Sequence, residues 1–119
     1  MKNFLIRLVS NALALYVAAY LIDGIQLSGG TGALLVVALV FGILNAILKP
    51  VLTFFSLPFI LLTFGLFVFV VNASMLLLTA RLVDDLTVSG WGAALLGSLV
   101  VSIVTMFLGA ALNDGEREE

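Results

Sequence analysis

From Val51 to Ala80 the chain carries no charged side chain, and Arg81 is the first charge after that stretch. A helix rises 1.5 Å per residue, so about 20 apolar residues already span a hydrocarbon core of about 30 Å. The stretch is too apolar to be held in water and too long for one untilted crossing. Backbone at membrane depth must keep its hydrogen bonds inside the chain, which favours helix over irregular loop. The whole chain shares this character. It has 119 residues, 63% hydrophobic and 10% charged, against about 25% charged in a soluble domain, and its mean hydropathy is +1.31. One membrane domain is the natural reading.

The charges exclude several classes of function. Five basic residues are too few for a nucleic-acid footprint. The chain has no Cys and no His, so disulfides, thiolate nucleophiles, typical zinc sites and imidazole acid-base chemistry are absent. No carboxylate falls in the middle of an apolar run, which argues against proton-coupled transport through a membrane acid. Paired carboxylates, a Ser-His-Asp set and a glycine-rich phosphate loop are also missing. No catalytic residue, metal or cofactor is expected, nor is enzyme activity.

Read in order, residues 4–48 form a helical hairpin, 49–63 a connector, 64–112 a second hairpin and 113–119 an acidic tail. The first helix covers about 4–22 and stops at Asp23-Gly24. Ile25 to Ser28 alternates apolar and polar, as a short extended lip does. Ser28 suits an N-cap for a second helix, which should end at Lys49-Pro50 because proline disfavours helical geometry in the residue before it. Residues 50–63, divided by Pro58, are expected as a short interfacial or re-entrant helix. A third helix follows over about 64–83. Leu86 to Ser89 alternates again, with Ser89 as a second N-cap candidate, and a fourth helix runs over about 90–112. Arg81 is placed to reach Asp84 or Asp85.

Residues 11–35 can be laid without a gap over residues 72–96. Asn11 meets Asn72, Asp23 meets Asp84, Ser28 meets Ser89 and Gly29 meets Gly90, alongside matching Leu and Ala positions. The polar and glycine matches carry the weight, since apolar composition alone yields Leu and Ala coincidences. The expected fold is therefore an all-α integral membrane protein of four transmembrane helices, arranged as two tandem hairpins in a parallel repeat. Lys2, Arg7, Lys49 and Arg117 fall on one side and Arg81 on the other, so both termini should be cytoplasmic.

Asn11 and Asn72 precede their aspartates by the same distance, about 18 Å along a helix and hence near mid-membrane. As pore-lining amides they would contact water or substrate; as interhelical glue they would fix the register of the first and third helices, the role such residues often take. Ser98, Ser102 and Thr105 share a stripe with Trp91, Ala94 and Gly109 on the fourth helix. It would line a water path or pack, as Ala38, Gly42 and Ala46 would on the second. Asn45 lies one turn from Lys49 and is expected to bond backbone groups freed by Pro50. Asp23, Asp84 and Asp85 gather at the outer rim, where solvated carboxylates need no special role.

The run Gly42-Ile-Leu-Asn-Ala-Ile-Leu-Lys-Pro50, followed by Leu57-Pro58, Leu62-Thr63, Gly65-Leu66 and Asn72-Ala73, resembles the four-transmembrane phage holin family of superfamily IV, the mycobacterial type, which includes YvlD-like bacterial membrane proteins. The resemblance covers about residues 4–112, with Asn45, Lys49, Pro50, Pro58 and Gly65 as the connector motif. It implies a small multi-pass protein of the bacterial cytoplasmic membrane with four helices. Family members usually carry Gly or Pro near the start of the second outer loop; here Asp84-Asp85 stands there, while Trp91 keeps the aromatic that follows Ser-Gly.

Three functions follow as expectations. The first is a bundle that self-associates through its small-residue faces in a structural or interaction role, with the lipid bilayer, further copies of itself and a membrane-protein partner as its contacts and no nucleic acid. The second is a holin-like oligomeric pore lined by Asn11, Asn72, Ser98, Ser102 and Thr105. The third is lipid handling.

Overall fold

The computed structural model describes residues 2–117, with side chains for residues 3–111. Four helices and two short strands follow in the order α1 (Lys2–Leu21), β1 (Ile25–Leu27), α2 (Gly30–Leu62), α3 (Phe67–Leu82), β2 (Leu86–Val88) and α4 (Trp91–Arg117). Three helices are long and apolar enough to cross a membrane, over Asn3–Leu21, Gly30–Leu62 and Trp91–Ala111, whereas α3 is a shorter apolar helix. The α1 and α3 helices each pack against both α2 and α4, which makes a closed ring of helices.

The two extended lips pair with each other. The β1 and β2 strands are antiparallel, with Gln26 opposite Thr87 and flanked by the pairs Ile25–Val88 and Leu27–Leu86. Two further backbone bonds clamp the ends, Ser28 N–H to Asp85 O at 2.9 Å and Ser89 N–H to Gly24 O at 2.8 Å. The serines are thus engaged across the pair and not as helix caps. Ser28 Oγ donates to Asp85 Oδ1 at 3.2 Å, and α2 starts after Gly29, whose φ of 87° lies in the left-handed region that glycine adopts without strain.

The second helix corrects the expected boundary at Lys49-Pro50. It continues through both Pro50 and Pro58 to Leu62, so all of the expected connector, 49–63, but its last residue lies inside α2 and forms no separate helix. Pro50 removes the donor for Ala46 O, and Pro58 the donor for Phe54 O. A full break would strip several more backbone bonds from a segment surrounded by apolar side chains, and that costs more in lipid. The helix bends instead. Straight, its 33 residues would carry Leu62 about 50 Å from the strand pair, while α3 starts only about 24 Å from it. The turn at 63–66, five steps from Leu62 to Phe67, reaches about 18 Å at full extension and cannot span that difference.

That turn also moves the start of the third helix from about Phe64 to Phe67. Gly65 N–H bonds Ile60 O at 2.7 Å and Phe64 N–H bonds Leu61 O at 3.3 Å, the paired bonds of a Schellman end. Phe64 takes the left-handed position, φ 56°. Thr63 Oγ1 accepts the Phe67 N–H at 3.0 Å and so supplies a partner to the first turn of α3. The loss of these residues leaves α3 with 16, short of the expected full span. At the other end, the α4 backbone stays helical through Asn113-Asp114-Gly115 to Arg117. The strong helix formers Ala110, Ala111 and Leu112 lead into this segment, and one glycine costs only about 1 kcal/mol. The side chains of the expected acidic tail lie outside the described residues.

The core sits beneath the strand pair. Leu15, Val37, Leu76, Ile25 and Leu86 are buried, as are Ala14, Ala18, Met75 and Thr79. Elsewhere large apolar side chains face outward on every helix, among them Tyr20, Phe55, Leu61, Phe64 and Phe107. Contiguous apolar surface of this extent suits lipid and not water.

Candidate functional site

Below the apolar core the ring of helices opens into a cavity of about 540 Å³. Its existence follows from side-chain size. On α2, Ala38, Gly42 and Ala46 present small groups, and α4 answers with Ser98, Ser102 and Thr105; all six line the space. At Gly42 the α2 backbone comes close to α1, since a Cβ there would stand 3.2 Å from Asn11 Nδ2.

The polar side chains stand in layers. Measured along each helix from its strand-pair end at 1.5 Å per residue, Asn11, Asn72 and Ser102 lie about 15 Å down, in the middle of a 30 Å hydrocarbon core. Arg7, Asn45 and Thr105 lie about 21 Å down and Lys49 about 28 Å. All seven line the cavity. Between this space and the strand pair, Leu15, Ile25, Val37, Leu76 and Leu86 form a tightly packed plug. There is no room in it to spare, because a Cβ on Gly97 would run into Ile25 Cδ1 and come within 3.0 Å of Leu76 Cδ2.

The hydrogen bonds separate groups that are satisfied from groups that are available. Thr105 Oγ1 donates to Val101 O at 2.8 Å, and Ser98 Oγ to Leu95 O at 3.0 Å. Both hydroxyls keep acceptor capacity toward the cavity. Asn45 Nδ2 donates to Phe41 O at 2.7 Å, its own i−4 carbonyl, and not to Ala46 O, the group Pro50 frees. Neither the Asn11 nor the Asn72 side-chain amide bonds another described residue. Ser10, only 6% exposed, has an Oγ with no partner and lies beside Arg7, Asn11, Thr105 and Gly109 in a small adjoining recess. A buried hydroxyl left unpaired costs about 1–3 kcal/mol.

The structure therefore brings Asn11, Asn72, Ser98, Ser102 and Thr105 to one space, and adds Asn45 and Lys49 from the connector motif. Pro50, Pro58 and Gly65 do not line it. The α4 stripe divides, with Trp91 on a separate outer recess. The rim carboxylates Asp23, Asp84 and Asp85 also stand apart from the cavity. Among the described residues Arg81 makes no ion pair with Asp84 or Asp85, and Asp85 is bonded to Ser28. Arg7 and Ser10 were not singled out by sequence as site residues. The signal was a spacing: Arg7 with Asn11 and Asn45 with Lys49 are i, i+4 pairs, each putting a cation one turn from an amide on the same helix face.

Comparison with known proteins identifies the family. The pattern described as mycobacterial 4 TMS phage holin, superfamily IV, matches residues 2–107. The chain belongs to this phage holin family. A Streptomyces coelicolor protein, described as uncharacterised, is 49% identical over 98% of this chain and its own full length. The uncharacterised membrane protein YvlD of Bacillus subtilis is 36% identical over the full length of both. No solved structure matches the chain. Membership of the holin family and the apolar helices together make this an integral membrane protein.

Proposed function

We propose that this holin-family protein works through a one-ended polar vestibule, sunk from the cytoplasmic face of the bacterial cytoplasmic membrane to mid-bilayer. The observation that carries this reading is the convergence of the Asn11 and Asn72 amides, neither bonded to another described residue, with Ser102 at mid-depth. If they served only as interhelical glue, these amides would be bonded to each other or to a neighbouring helix. Water and small polar groups entering from the Arg7 and Lys49 end satisfy them instead. The plug beneath the strand pair stops passage through a single chain.

Two tandem hairpins related by a pseudo-two-fold axis along the membrane normal fit this reading. Gln26 and Thr87, opposite each other in the strand pair, occupy the same position in the sequence repeat. So do the two reciprocal bonds, Ser28 to Asp85 and Ser89 to Gly24. Both termini are then cytoplasmic, with Arg7 and Lys49 at the inner interface. The short α3 completes a fourth crossing with the turn at its base. An oligomeric pore remains the second reading, favoured by the family; the plug requires its path to run between copies.

Substituted-cysteine labelling tests the vestibule. Single cysteines at Asn11, Asn72 and Ser102 should react with a small polar thiol reagent supplied from the cytoplasmic side, while cysteines at Leu15 and Leu76 stay unreactive. Equal protection at both levels would remove the vestibule, and a large difference between positions 11 and 72 would break the two-hairpin arrangement.

A further inference from the structure

We infer that the vestibule binds a phosphate group, carried on a phospholipid headgroup or as the free ion. The inference rests on the vestibule reading and adds its ligand. Two cations, Arg7 and Lys49, line the cavity, and no carboxylate stands among its described lining residues. Lys49 is half-buried, and a half-buried cation without a counter-charge loses hydration that no described residue returns. A ligand that restores the balance is an anion. A cation meets repulsion here, and a neutral solute leaves both charges uncompensated.

The donors narrow the anion further. The Arg7 guanidinium offers several N–H donors in a plane suited to two phosphate oxygens. The ammonium of Lys49 supplies a point charge, and the amides of Asn11 and Asn72 add donors deeper in the cavity. The unpaired Ser10 hydroxyl lies behind Arg7 in the adjoining recess. A group with several acceptor oxygens uses such a scattered set, where a halide does not. The size, about 540 Å³, is within the range of about 300–1,000 Å³ for small-molecule sites.

The walls favour access from lipid. Phe4, Leu39 and Ile43 line the same cavity and are exposed on the lipid-facing surface, so the cavity has an apolar edge against which acyl chains pack. Basic pockets between transmembrane helices near the cytoplasmic face hold anionic headgroups in this manner.

The test uses the full chain in nanodiscs. Native mass spectrometry would compare retention of phosphatidylglycerol and phosphatidylcholine, and calorimetry in phosphatidylcholine discs would follow inorganic phosphate. Wild type should retain phosphatidylglycerol preferentially, and the Arg7→Gln/Lys49→Gln variant should lose about thirtyfold of that preference, as two cationic contacts imply. The Asn11→Leu/Asn72→Leu variant, which changes no charge, should weaken retention several-fold. Arg81→Gln, at the opposite end, should leave it unchanged. Binding of inorganic phosphate that is lost in the Arg7/Lys49 variant, without a lipid preference, would assign the same chemistry to the free ion. Two results overturn the inference: no phosphate or phosphatidylglycerol binding in wild type, or an equal loss in Arg81→Gln, which would reduce the effect to surface charge. If cysteines at 11 and 72 still label in either case, the vestibule stands and only its ligand is wrong.

Discussion

Replacing Gly97 with alanine probes the plug that closes the vestibule. The added methyl would run into Ile25 Cδ1 and stand 3.0 Å from Leu76 Cδ2. Ile25 is 1% exposed and Leu76 fully buried, so neither side chain has free space to retreat into. Overpacking a filled core costs about 1–3 kcal/mol, and alanine returns about 1 kcal/mol of helix propensity over glycine. With both neighbours hemmed in, the overpacking falls in the upper part of that range, about 2–3 kcal/mol, and the expected net loss is about 1–2 kcal/mol. Ile25→Val deletes the very methyl that the new Cβ meets, at about 0.5–1.5 kcal/mol by itself. The double variant should therefore cost less than the sum of the two, with a coupling of about 1 kcal/mol. Equilibrium unfolding in mixed micelles by SDS titration, followed by circular dichroism, measures all four proteins. A Gly97→Ala variant as stable as wild type, or strict additivity in the double, would refute the packing described for the plug.

Three further outcomes are expected of the same fold. Phe64→Gly should stabilise the protein by about 1 kcal/mol in detergent, because a left-handed conformation costs an L-residue about that much and Phe64, 97% exposed, gives up almost no internal contact; Phe64→Ala keeps the strain and should show no such gain. Gly24→Ala would push a Cβ into Ser89 Oγ and to 2.8 Å from Ala93 Cβ, so amide exchange at Ser89, whose N–H bonds Gly24 O, should quicken; unchanged protection would contradict the strand pairing. Liposomes holding about one copy each should be as tight to a small dye as empty ones, since buried apolar side chains close the single chain to water; leakage at that density would contradict the plug.

Much of the fold could be read from the sequence because hydropathy and alternation record where lipid and the strand pair lie. The four helices, both lips and the stops at Asp23-Gly24 and Asp84-Asp85 came from those signals. The prolines misled, since Pro50 and Pro58 are breakers in water but are carried inside a bent helix where lipid offers the backbone no other partner. The real boundary depends on Phe64 adopting a left-handed conformation, which no propensity of phenylalanine announces. The site was legible in part. The repeat singled out Asn11 and Asn72, and helical spacing put Ser98, Ser102 and Thr105 on one face. Arg7 and Lys49 signalled orientation first, and only the closing of the helix ring brings those charges and the amides to one cavity.

The proposed vestibule lets water reach the middle of the bundle from one end and stops it at the plug. Deuterium modulation of a spin-label echo, recorded in D₂O with nitroxides at positions 11, 72, 15 and 76 in turn, reads this directly. Strong and similar modulation is expected at 11 and 72, with a marked loss one turn away at 15 and 76. Dry labels at 11 and 72, or equal water contact at all four positions, would contradict it.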